Sequence, residues 1–566
     1  MRASLGCHWL CQCFCIAHTI TGRASGTRNP VHLLGLVILS TWAVQVHATK
    51  PDVQQVAAQL DELISEDLFS DSTKLATPTN DVTYLRRVWL DLVGDIPTPE
   101  HVTAFVLDPD PTKRERVVRE LLKHPQFGQH WARYWRDVIL YRRIEERSLI
   151  VANPLVVKLT EQFNENRPWD EIATQFVTAS GDVKEDGATA VIVAQEGRTE
   201  ETTAEMARIL LGIQIQCAQC HDHPYDRWKR EEFHELAAFF PRIGLRPVLT
   251  PTRRSFEVVT NDRPIGRRRP DNDRPIPELE HFMPDLEDPA AQGTRMQPKF
   301  FLTGAELSYG TPDADRRGQL AEWLTDNSWF ATAYVNRMWG ELVGEGFYEP
   351  IDDLGPDRTP SAPKAVEYLS KQFARSGFDV KWLMRVICST EAYQRESRPR
   401  REVEGTPFAA NVAQRLRGDQ LFSALLTALD SPESEGSVGR GRTMGGAYGF
   451  RGTPRTVFNT VFGYDPSEPR DTITPSITQA LAMMNTPQIN LATVANRRTS
   501  LGKLAAENED DEELVTELYL RCLSREPTEK ELAGALVYRE SIASRQEAVE
   551  DLFWALLNSS EFTHRR

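Results

Sequence analysis

This 566-residue chain is short of three things: positive charge, cysteine and long apolar runs. Lys and Arg number 66 against 81 Asp and Glu, a formal net charge of −15. A surface built to hold nucleic-acid phosphates needs the opposite balance, so nucleic acid is excluded as a partner. The acidic excess has a plainer consequence, which is solubility. Cysteines number eight, and four of them (Cys7, Cys11, Cys13 and Cys15) crowd the first 26 residues. Only Cys217, Cys220, Cys388 and Cys522 remain beyond that stretch, which rules out a disulfide-dense scaffold. Cys388 and Cys522 lie in apolar helical runs and are expected to be buried thiols.

The one long apolar run, residues 33–44, follows Arg23, Arg28 and His32 and leads into Val46-His47-Ala48. A basic stretch, a short apolar stretch and a small-residue site follow in the order of a signal peptide. The run is shorter than the ~20 residues that span a bilayer. Residues 1–48 are therefore expected to be a leader, with a retained anchor as the alternative. Export to the periplasm or cell surface follows, with no membrane span in the mature chain. No solenoid-like repeat is present.

What the chain does have is helical periodicity. A mainly α fold is expected, as two helical domains (53–241 and 298–566) joined by an irregular, partly β connector at 242–297. Thr98-Pro99-Glu100 reads as a helix start, a hydroxyl cap followed by Pro at the first helical position and an acid in the first turn, with Val102, Phe105 and Val106 on its apolar face. Thr112 opens another helix, and Trp131 and Trp135, four apart, share a buried face. Ser361-Ala-Pro-Lys opens a helix that Gly377 stops, and Thr528-Glu-Lys-Glu531 is a capping box. In the connector, Phe256-Glu-Val-Val259 reads as a strand, and the Arg267–Pro270 charge run as a solvated loop. Residues 431–455, rich in Gly and Arg, read as a long loop.

One motif carries chemistry: Cys217-Ala-Gln-Cys220-His221. Covalent attachment of a c-type haem needs two thiols three apart, one for each vinyl group, and a following His to ligate iron. Met206, Ile209, Leu210 and Ile213 form an apolar helical face leading into it. Haem c, with His221 as its iron ligand, is thus the expected cofactor. Zinc or another metal on Cys217, Cys220, His221 and His223 is the alternative, although adjacent ligands crowd a tetrahedral site. A redox disulfide or a merely structural pair are further alternatives. A sixth iron ligand is not identifiable: His223 is too close to His221 in sequence to fold back easily onto the opposite haem face, and His234, Met206, His124 and His130 are candidates that are more often ordinary core or surface residues. Asp222, Tyr225, Asp226 and Trp228 either line the site or cap and pack the helix that follows.

The stretch Ile215 to Trp228 resembles the hallmark of the planctomycete cytochrome-like domain of unknown function. Leu85 to Gly94, Ile96 to Glu100 and His130 to Asp137 are similar to its N-terminal and central signatures. Tyr334 to Trp339, Glu349 to Leu354, Phe378 to Leu383, Leu523 to Thr528 and Trp554 to Phe562 resemble the planctomycete-specific domain that commonly follows it. The resemblance implies cytochrome character but lends no settled activity.

Three functions are compared. The first is an exported c-type haem protein in electron transfer or redox support of an extracytoplasmic pathway, with an unknown redox or surface partner. The second is a hydrolase using Asp352 and Asp353 beside Asn336 and Arg337, since paired carboxylates serve acid–base or metal chemistry. The third is a cell-surface binding or structural protein stapled by metal.

Overall fold

Caps and apolar spacing together set where the helices of this chain start and stop. The computed structural model describes residues 50–141, 146–249, 254–262, 279–400, 406–433, 453–470 and 476–566. The leader, the Arg267–Pro270 run and most of the Gly/Arg-rich loop lie outside the described residues. Thr528 and Glu531 form both halves of their capping box ahead of Glu529–Ser541. Helix Pro363–Arg375 buries Val366, Leu369 and Phe373, and Gly377 follows its end at φ +74°. Two expectations need correction. Thr98 makes no cap bond to helix Pro99–Leu107, because its hydroxyl lies 2.9 Å from His101 Nδ1 instead. Val106 is 46% exposed: it lies about 100° round the helix from Phe105, on the edge of the stripe away from that ring.

The chain is mainly helical, with small sheets. The connector supplies the longest hairpin: Ile243–Leu249 pairs antiparallel with Arg254–Thr260, which also carries the short strand Gly181–Asp182. Residues 50–566 form one compact unit, and the helices of the two expected regions share its main core. An aromatic column makes this concrete. Trp135 of Pro125–Leu140 stacks on Tyr334 of Ser328–Val343 with ring centroids 5.7 Å apart. Trp169 lies 4.5 Å from the same tyrosine, and Phe373 stacks on it at 5.2 Å. Each buried ring contributes ~1.5–3 kcal/mol or more by leaving water, so the column binds the N-terminal helices firmly to those of the second half.

Polar stitches reinforce the same joint. Arg565 is fully buried, donating from Nε to Asp91 (2.7 Å), from Nη1 to Asn411 (2.7 Å) and from Nη2 to the Leu342 carbonyl. Cys388 and Cys522 are buried as expected, and burial pushes both thiols far above the usual range. Among the described residues no helix is long and apolar enough to cross a membrane.

Candidate functional site

The helix that leads into the CxxCH motif, Thr199–Met206, runs on through a π-helical turn, Ala207–Leu211. Met206, Ile209, Leu210 and Ile213 are all buried, as their spacing predicts. The helix ends at Gly212 (φ +66°), where a side chain would be strained and its Cβ would lie 2.9 Å from Leu354. The Leu354 N–H donates to the Gly212 carbonyl (2.7 Å), and Gln214 Nε2 donates to Asp352 (2.9 Å). The motif therefore starts from a helix end tied down at two points.

A short 3₁₀ turn, Ile215–Gln219, follows. Ile215 and Ala218 face inward, whereas Cys217 and Cys220 are exposed free thiols. Cys217 lies within this turn and Cys220 is its C-cap residue, three positions on, so both thiols are open to solvent beside one short turn. His221 is also exposed, with Nδ1 2.7 Å from the Asp222 carbonyl oxygen. A carbonyl only accepts, so Nδ1 carries a proton and Nε2 is the ring nitrogen outside that bond.

The loop beyond is closed by the His223 N–H donating to the Trp228 carbonyl (2.8 Å). Asp222 accepts from the Arg230 N–H (3.1 Å) and pairs with Lys229 (2.8 Å), so it caps helix Arg230–Ala237. Trp228 is buried edge-on to Phe301, at 5.1 Å. Asp226 packs against Gly355, where an added Cβ would fall 1.9 Å from its Oδ2. Tyr225 alone of this group stands free, 80% exposed.

Beneath the turn lies a pair of buried imidazoles. His234 Nε2 is 3.0 Å from the Gln219 carbonyl oxygen, and its Nδ1 is 2.8 Å from His281 Nε2. His281 comes from the connector, which sequence patterning presents only as irregular. Burial, with His234 beside it, pushes His281 down to about 4. Burial also lowers His234, against the opposite pull of the Gln219 carbonyl. The adjacent Glu280 accepts from Arg316 (2.7 Å) and Arg242 (3.0 Å). Burial opposes its charge, but Arg316, the Gly310 amide and Arg242 together hold it ionised below the usual range.

The candidate sixth ligands differ in how far they are engaged, and His124, like His223 and His221 itself, uses only Nδ1. His234 uses both ring nitrogens as just described. His124 Nδ1 accepts from the Gln126 N–H at a helix start, His223 Nδ1 accepts from the Tyr225 N–H, and Met206 is sealed in the core. His130 is buried with Arg417 3.2 Å away, and burial, then that guanidinium, hold it well below its usual value.

Nor do the acids nominated in the second half form a catalytic pair. Asp352 is fully buried, held by Arg208 (3.1 Å), Arg337 (3.4 Å), Gln214 (2.9 Å) and Ser467 (2.5 Å). Asp353 pairs instead with Arg358 (2.8 Å). Asn336 spans the Tyr348 and Ile351 carbonyls and the Tyr348 N–H. The grouping is thus a buried brace, and through Arg208 and Gln214 it holds the strut that presents the CxxCH motif.

Among the described residues no three His, Cys, Asp or Glu side chains are gathered so that they could hold a metal ion. The fit to a haem is different in kind. Two vinyl carbons stand apart on the macrocycle, so the thiols need a common face and solvent access, and the His needs a free nitrogen. Cys217 and Cys220 are both exposed free thiols, and the hydrogen bond given for the His221 ring uses Nδ1.

Residues 59–244 match the family model PSCyt2, described as a protein of unknown function (DUF1549). Residues 316–446 match PSD1, likewise a protein of unknown function (DUF1553). Neither the curated proteins nor the solved structures compared with the chain give a match.

Proposed function

We propose, for a chain that carries the pairing of the PSCyt2 and PSD1 families of unknown function, an exported protein that holds a c-type haem for electron transfer or for redox support of an extracytoplasmic pathway. The observation that carries this reading is the exposure of both the Cys217 and Cys220 thiols, three positions apart, followed at once by an imidazole held through Nδ1. Cys217 and Cys220 would hold the macrocycle through thioethers, and Nε2 of His221 would ligate iron. Such a group supplies one-electron redox chemistry. The chain's own residues supply its setting: the Asp222 carbonyl fixes the His221 tautomer and ring, and exposure of the motif leaves a partner close access.

Maturation of the full chain with its leader, in a host that attaches c-type haem, tests the reading. Covalent haem stain and a sharp reduced α-band are expected, and His221→Ala should lose the ordinary spectrum. A colourless mature protein would refute haem attachment. Stoichiometric zinc in that protein would turn attention to Cys217, Cys220, His221 and His223 as a metal staple.

A further inference from the structure

We propose that His234 is a positioning residue for the Cys217–Cys220 turn, holding the peptide between the two cysteines through Nε2–H while His281 fixes its ring. The inference rests on the preceding reading for its redox consequence, but not for its geometry.

Gln219 stands immediately before Cys220, so the orientation of its carbonyl sets that of the Cys220 backbone. At the end of so short a 3₁₀ turn this carbonyl lacks an intrahelical donor. It receives His234 Nε2 at 3.0 Å and, less closely, Arg230 Nε at 3.4 Å. Because a carbonyl cannot donate, neutral His234 must carry its proton on Nε2 and accept on Nδ1. His281 Nε2 then donates to that Nδ1 across 2.8 Å, with the two rings stacked 5.1 Å apart. Both rings are at least nine-tenths buried, so no water substitutes for either bond. A buried polar pair of this kind adds little net stability over an apolar pair of the same shape. What it adds is direction: one tautomer, one ring plane and one carbonyl orientation beneath the two thiols. The connector thereby reaches the motif through His281, and through the Pro284 carbonyl that receives Arg230.

Three variants of the full chain separate this role from simple packing. His234→Gln keeps an N–H near the Nε2 position. His234→Asn keeps a polar group near Nδ1 but abandons Gln219, and His234→Ala removes both. Circular dichroism verifies the fold of each. In chain purified without haem, iodoacetamide labelling of Cys220, read against Cys217 by mass spectrometry, should rise roughly three- to tenfold for Ala and Asn. For Gln it should stay within about twofold of the original. In haem-loaded chain, the midpoint potential should move for Ala and Asn and stay for Gln. Gln and Asn behaving alike, or no variant changing the labelling ratio, would overturn the proposal. Should no form bind haem, the labelling pattern still decides the role of His234, and only the cofactor reading falls.

Discussion

A carboxylate sealed between two guanidiniums cannot be deleted cheaply, because the cations it leaves behind stay buried. Asp352→Ala is therefore expected to cost about 3–5 kcal/mol in urea unfolding, since Arg208 and Arg337 lose their shared partner. Asp353→Ala should cost less than about 1 kcal/mol, because its partner Arg358 is 37% exposed. Equal costs would contradict the assignment of Asp352 as a brace. Sequence reasoning could place these adjacent acids on one loop but could not tell them apart. The partners of Asp352 lie 144, 138 and 115 positions away at Arg208, Gln214 and Ser467, and no local pattern encodes such distances. Cys217, Cys220 and His221 stand out as candidates for the opposite reason: the chemistry proposed for them depends on spacing within five residues. His281 does not, because nothing around it repeats.

At the level of elements, periodicity identified the helices, and capping chemistry identified several of their ends. It missed the π-helical turn before the motif, which ends at Gly212 against Leu354. Gly212→Ala is expected to destabilise by about 1–2 kcal/mol, by denaturant midpoint, from its positive φ and the 2.9 Å approach. The connector read as irregular because its work is done by single residues. One of them gives a pH signature. His281 sits at about 4, against 6.5 when unfolded. As pH falls, the unfolded chain takes up this proton first, so the contribution is complete above 6.5 and is lost between 6.5 and 4. It amounts to at most about 3 kcal/mol. The groups facing the ring are His234 at 2.8 Å and Glu200 at 4.0 Å. His281→Gln, which keeps a donor for His234 but does not titrate, should flatten this limb of the stability profile. An unchanged slope would show that other groups govern it.

The whole molecule is where local reading reaches least. Two helical regions were visible, yet their shared core was not, because the Trp135–Tyr334 stack joins residues with no common repeat. Expressed alone, residues 50–262 should aggregate or remain unfolded, and a cooperative melt of that fragment would count against the shared core. Deleting Arg565 and Arg566 should cost about 3–5 kcal/mol, measured by urea unfolding, because Asp91 would be left buried without its cation. The measurement closest to the central claim also uses the whole chain: maturation with its own leader in a host that attaches c-type haem, then denaturing electrophoresis with haem stain and a reduced visible spectrum. The account predicts a stained band and a sharp α-band, both lost in a Cys217→Ser, Cys220→Ser double variant. A well-folded, colourless chain with both thiols free would contradict it.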